Sequence, residues 1–106
     1  VGKKINIDYK LAWMVVYKHP DSSREGSVTY LVKSKAYRAA AESAADLAKE
    51  TIDSLDLDKD EVSRLQSIID LVGKEKFEEA YQEWHYYSRD MDPSEDVLVE
   101  ETYVVD

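Results

Sequence analysis

Carboxylates are the commonest groups in this chain that could carry chemistry. There are 23 Asp and Glu against 14 Lys and Arg, with two His and no Cys. Without cysteine there is no thiolate nucleophile, disulfide framework or cysteine metal site. His19 and His85 stand in neither a His-x-x-x-His nor a Glu-x-x-His spacing, the arrangements that put two metal ligands on one helical face. Asp56, Asp58 and Asp60 match positions 1, 3 and 5 of a calcium loop. Position 6 is Glu61 where the sharp turn needs Gly, and position 12 is Ser67 where a bidentate Glu is needed. The segment reads as an acidic linker and helix cap, and no cofactor or metal is expected. Three scattered glycines cannot cradle a phosphate, and no Ser stands in a nucleophile-elbow context. Acid–base work needs a carboxyl perturbed by its surroundings. Glu101 is the one candidate, because it interrupts the apolar alternation Val97, Val99, Tyr103, Val105. A bulge or a strand edge accounts for it more simply. The expectation is a protein that is not an enzyme.

Periodicity supplies the elements that must position these groups. From Ile5 the odd positions read Ile5, Ile7, Tyr9, Leu11, Trp13, Val15, Tyr17. That period of two predicts a long strand with one buried face. Ala12, Met14 and Val16 make the second face apolar too, which predicts cover on both sides and makes Met14 and Val16 a candidate dimer surface. His19 to Ser27 is a polar turn, and Val28 to Lys33 a second strand. Ser34 is the expected N-cap of helix one, which runs to about Leu55 with Tyr37, Ala40, Ala41, Ala44, Leu47, Ala48, Ile52 and Leu55 inward. Asp58 and Glu61 have capping-box spacing ahead of helix two, with Val62, Leu65, Ile68, Ile69 and Val72 inward and Gly73 as its C′ glycine. Helix three buries Phe77, Ala80, Tyr81, Trp84 and Tyr87 or Ser88. Met91 to Ser94 is a break, and Val97 to Val105 a last strand.

The order β-β-α-α-α-β predicts a single α+β domain over residues 1–106. It is a three-stranded antiparallel sheet with the long first strand central and the helices on one face. This pairing is expected to bring Lys3, Lys4 and Lys10 near Glu100 and Glu101.

Charge is unevenly placed. Residues 1–38 hold eight bases and three acids, a net of +5, and the remainder six bases and 20 acids, a net of −14, which together give −9. That excess repels phosphate, so direct nucleic-acid binding is not expected. The longest uncharged apolar run, Leu11 to Tyr17, is too short to span a membrane, and no signal peptide is visible. A cytoplasmic protein is expected. Glu75, Glu79 and Glu83 recur at i, i+4 on helix three, with Glu78 beside them and Tyr86 on the same side. With Asp56, Asp58, Asp60, Asp90 and Asp92 they form the candidate partner-binding set, since spaced carboxylates can imitate phosphates in a basic groove. Small acidic chains without cysteine or catalytic motifs are a frequent style among phage-encoded anti-defence proteins, including anti-CRISPRs, and among immunity proteins. No segment here carries a family motif. The leading expectation is an inhibitor or modulator that covers the basic nucleic-acid-binding surface of a protein partner. A homodimeric assembly module and a small enzyme or ligand carrier are the alternatives.

Overall fold

The computed structural model describes residues 8–21 and 25–105. The predicted positions Lys3, Lys4, Ile5 and Ile7 lie outside the described residues. Three strands, β1 (Tyr9–Lys18), β2 (Gly26–Tyr30) and β3 (Asp96–Val105), enclose in sequence three helices, α1 (Lys33–Ser54), α2 (Lys59–Gly73) and α3 (Phe77–Met91). The sheet is antiparallel in the order β2-β1-β3, so β1 is central, as its alternation predicts. Trp13 and Val15 lie opposite Tyr30 and Val28 on one side, and opposite Glu101 and Val99 on the other. Lys10 pairs with Val104, while Glu100 and Glu101 lie opposite Met14 and Trp13. The register therefore sets Lys10 three residues from the position opposite Glu101 and four from that opposite Glu100, not beside them as expected.

The helices cover the face that carries Trp13, Val15, Tyr17, Tyr30, Val97 and Val99. α1 lies against all three strands and both other helices. It does so through alanines: Ala36, Ala40, Ala41, Ala44, Ala45 and Ala48 are all buried. Small side chains let the helix backbone approach its neighbours, and Ala is also the best helix former. Leu65, Ile68, Ala80, Tyr81, Trp84 and Tyr87 fill the space between the helices. Leu55, expected inward, is 59% exposed because α1 stops one residue before it.

Two helix ends depart from the expected chemistry. α1 follows a bend at Leu31–Val32, so Val32 is its N-cap without a side-chain cap, and Ser34 falls inside the first turn. β2 therefore ends at Tyr30 rather than Lys33. At α2, Asp58 does cap: its Oδ1 accepts the Glu61 N–H at 2.9 Å. The other end of α2 closes two residues later than expected. Gly73 is the last helical residue and has no positive φ; Glu75 does, at φ 60°. The Glu75 N–H donates to the Val72 carbonyl (3.0 Å) and the Lys76 N–H to that of Leu71 (2.9 Å). These are the two bonds of a Schellman motif, with glutamate where glycine is usual.

α3 runs beside the edge of β3 and satisfies part of it. The Val99 N–H donates to the Tyr81 hydroxyl at 2.9 Å. Asp96 Oδ1 accepts the Trp84 indole N–H and its neighbour Val97's N–H, both at 2.7 Å, and Oδ2 accepts the Ser88 hydroxyl. The opposite sheet face carries Met14 and Val16, half-buried, with no helix over them among the described residues. Ala12 on that face is nonetheless fully buried, so the second face, expected to be covered, is closed at Ala12 and half-open at Met14 and Val16. Among the described residues no helix is long and apolar enough to cross a membrane.

Candidate protein-binding surface

The helical layer decides where the acids stand. α2 runs antiparallel to α3, as the contact of Arg64 with Asp90 near their facing ends requires. The candidate acids therefore divide between two ends. Asp56, Asp58 and Asp60 share one end with Asp90 and Asp92, and Glu75, Glu78 and Glu79 mark the other. Glu83 lies between them on α3, whose 15 residues span about 22 Å.

At the first end most acids have local work. Asp58 is the α2 cap, and Asp60 stands in the first turn of α2, where negative charge suits the helix dipole. Asp90 holds Arg64 (Oδ2 to Nη2, 3.2 Å), whose guanidinium also lies 5.5 Å above the centre of the Tyr87 ring. Asp92 closes α3 in the left-handed region at φ 46°, its N–H donating to the Ser88 carbonyl at 2.8 Å. Asp56 is exposed in the α1–α2 connection.

The other end is organised around a shallow groove lined by Lys33, Tyr37, Glu75, Lys76, Phe77, Glu78 and Glu79, with Ser34. Tyr37 and Phe77 supply aromatic surface. Cations of the chain already stand over both rings: Lys33 at 5.7 Å from the Tyr37 centroid and Arg38 at 5.3 Å from that of Phe77. Lys33 also pairs with Glu78 at 3.6 Å. Burial raises the Tyr37 phenol above its ordinary pKa, and the negative charge of Glu78 adds to the rise. Lys33 opposes both.

The expected row of Glu75, Glu79 and Glu83 on one helical face is corrected here. α3 starts at Phe77, so Glu75 belongs to the turn and not to the helix. Glu79, Glu83 and Tyr86 remain in one exposed row. Among the described residues neither Glu79 nor Glu83 forms an ion pair. Tyr86 is 46% exposed, with the Arg89 guanidinium 5.4 Å above its ring centre. The row is therefore acidic at its start and closed by an Arg–Tyr pair.

Glu101 is exposed on an edge strand whose pairing with β1 runs unbroken from Tyr9–Val105 to Lys18–Asp96. The edge explains it and the bulge does not. Across from it the Trp13 indole N–H is buried with no hydrogen-bond partner among the described residues. Among the described residues no group of three His, Asp or Glu is placed to hold a metal ion. His19 lies with its Nε2 3.1 Å from Glu95, and its Nδ1 accepts the Asp21 N–H. His85 is stacked on Tyr81.

The carboxylate with the most elaborate setting is Asp96, which sequence pattern alone groups with the other surface acids. Its partners Ser88 and Trp84 lie eight and twelve residues away, and only tertiary packing brings them together. The chain matches no protein-family model, no curated protein and no solved structure.

Proposed function

We propose that this is a non-enzymatic binding protein of the inhibitor or modulator type. It would cover the basic, nucleic-acid-binding surface of a protein partner with the α2–α3 turn and the outer row of α3. The observation that carries this reading is that Glu79 and Glu83 are exposed and form no ion pair among the described residues. Neighbouring acids on the same layer, Glu78 and Asp90, have a cation in place. From Glu75 to Asp92 there are six acids and two bases, so this segment is acidic on balance. Glu75 supports the reading: a left-handed residue other than glycine costs about 1–2 kcal/mol, and a glutamate is kept at that cost. Tyr86 adds the amphipathic surface typical of interface anchors. An anti-defence or immunity-type inhibitor is the functional class in which such a surface is used this way.

The test is capture from a lysate of the encoding organism or its infecting partner, at about 50 and about 500 mM salt. The reading expects a basic protein retained at low salt and released at high salt. The triple variant Glu75→Lys, Glu79→Lys, Glu83→Lys should fold and lose that protein. Retention unchanged by salt or by charge reversal would sink the reading.

A further inference from the structure

The two ends of the β3 edge are treated differently. Val99 directs its N–H away from β1, towards Tyr81. In an antiparallel ladder this direction alternates, so Val97, Glu101, Tyr103 and Val105 also present their backbone groups outward. Val97's N–H is taken by Asp96 and Val99's by Tyr81. No hydrogen bond engages those of Glu101, Tyr103 and Val105 among the described residues. The same stretch shows Tyr9, Leu11, Tyr103 and Val105 on one face, 61%, 39%, 68% and 68% exposed. They are cross-strand neighbours, Tyr9 with Val105 and Leu11 with Tyr103. β2 stops opposite Trp13 and does not reach them.

We infer that this edge pairs with the same edge of a second copy, making a continuous six-stranded sheet about a two-fold axis at Tyr103. The argument is self-complementarity. A two-fold axis at Tyr103 sets Tyr103 against Tyr103, and Glu101 against Val105 of the second copy. Every open N–H and C=O of the five residues then meets a counterpart. No acid faces an acid within the paired segment 101–105, and two tyrosines meet across the axis, a favourable cross-strand pair. The apolar rows of the two copies join into one stripe. Each row exposes on the order of 400 Å² of side chain, the size of the largest patch on an ordinary monomer. Edge pairing leaves this stripe on one face of the joined sheet and buries mainly the backbone edges and the flanks of Tyr103 and Val105, which makes a small interface of the weak class. The edge also lacks most of the usual safeguards: it is neither short, bulged nor interrupted by proline, and Glu101 is the one charge within the segment 101–105. A net charge of −9 on each copy opposes association, so salt should strengthen the dimer. That is the opposite sign to the salt response of the helical surface, so the two readings fail separately.

The chain has no cysteine, which makes cross-linking a clean test. Opposed residues of a hydrogen-bonded antiparallel pair stand about 5.5 Å apart at Cα, within disulfide range. Tyr103→Cys should form a disulfide-linked dimer under mild oxidation at least tenfold faster than Thr29→Cys, an exposed position on β2. Sedimentation of the native chain should show a concentration-dependent dimer that tightens between about 50 and about 500 mM salt. Tyr103→Pro removes an outward N–H, which an edge strand tolerates, together with the tyrosine ring at the axis. It should raise the dimer dissociation constant at least tenfold with the circular dichroism unchanged. Met14→Asp, on the other face, should leave the dimer intact. A native chain that stays monomeric at about 1 mM at either salt overturns the inference. So does a Tyr103→Cys rate equal to that of Thr29→Cys, or a dimer lost in Met14→Asp and kept in Tyr103→Pro.

Discussion

The β1–β3 ribbon has an inner half, where Val15, Tyr17, Val97 and Val99 meet the helices, and an outer half, where Tyr9, Leu11, Tyr103 and Val105 meet solvent. Both halves are written in the same alternation. What separates them is the length of the helical layer, which ends near Tyr37 and Tyr81. In the inner half the outward N–H groups of Val97 and Val99 are also satisfied, by Asp96 and by Tyr81. Among the described residues the outer half has neither cover nor cap on this face. An apolar strand face is thus core only where something long enough lies over it. The remainder is a surface with the composition of a core.

The contrast can be broken by mutation, and the largest effect belongs to the inner half. Trp84→Ala removes a fully buried ring and one of the three donors to Asp96, and should cost about 3–5 kcal/mol in urea unfolding. Tyr103→Ser in the outer half should stay within about 0.5 kcal/mol under dilute, monomeric conditions. A loss above about 2 kcal/mol at Tyr103 would erase the distinction. Asp96→Ala should cost about 2–3 kcal/mol, because it leaves the Trp84 and Val97 N–H groups and the Ser88 hydroxyl without an acceptor. Asp96→Asn should recover part of that, and a cost no larger than that of an exposed acid such as Asp56→Ala would refute the account.

Tyr81→Phe tests the edge cap alone and should cost about 1 kcal/mol. It carries a pH signature. Burial raises the Tyr81 phenol above its ordinary value, and the Val99 N–H opposes the rise. A group that holds its proton more tightly when folded stabilises fully below its unfolded pKa, about 10 for Tyr. That contribution disappears as pH climbs through the folded value. Thermal midpoints should therefore be level below about pH 9 and fall above about pH 10, less steeply in Tyr81→Phe. Tyr17, Tyr37 and Tyr87 are also raised by burial, so a residual fall is expected in the variant. The smallest effect is a gain: Glu75→Gly should stabilise by about 1 kcal/mol by relieving the left-handed backbone. A loss in calorimetry would show that the Glu75 side chain supports the turn.

Much of this fold was legible from spacing. The central strand, the Asp58 cap, the inward face of α3 and the order of elements all follow from local rules. The misreadings have a common origin. Ser34 and Gly73 are good terminators by type, yet the helices end elsewhere, because the bend at Leu31–Val32 and the Schellman bonds at Leu71 and Val72 answer to packing. The candidate surface was less legible. Glu75 falls outside the helical row because α3 starts at Phe77, and Glu78 and Asp90 take partners from α1 and α2. Asp96 looks like any other acid in sequence, since nothing local distinguishes a carboxylate that will sit beneath a tryptophan.

The alanine line of α1 sets a tolerance for the whole molecule. Where α1 meets its neighbours through these six methyl groups, it has almost nothing to compress. The spacing of the layers is therefore fixed by the smallest chiral side chain available, and it can be widened but not narrowed. Each added methylene at Ala40 or Ala44 would act as a shim, lifting the other helices relative to the strands. The hydroxyl that caps Val99 and the indole that anchors Asp96 both ride on α3, so their alignment is held by that clearance. For stability, this thin seam, the least conspicuous part of the chain, has the narrowest margin.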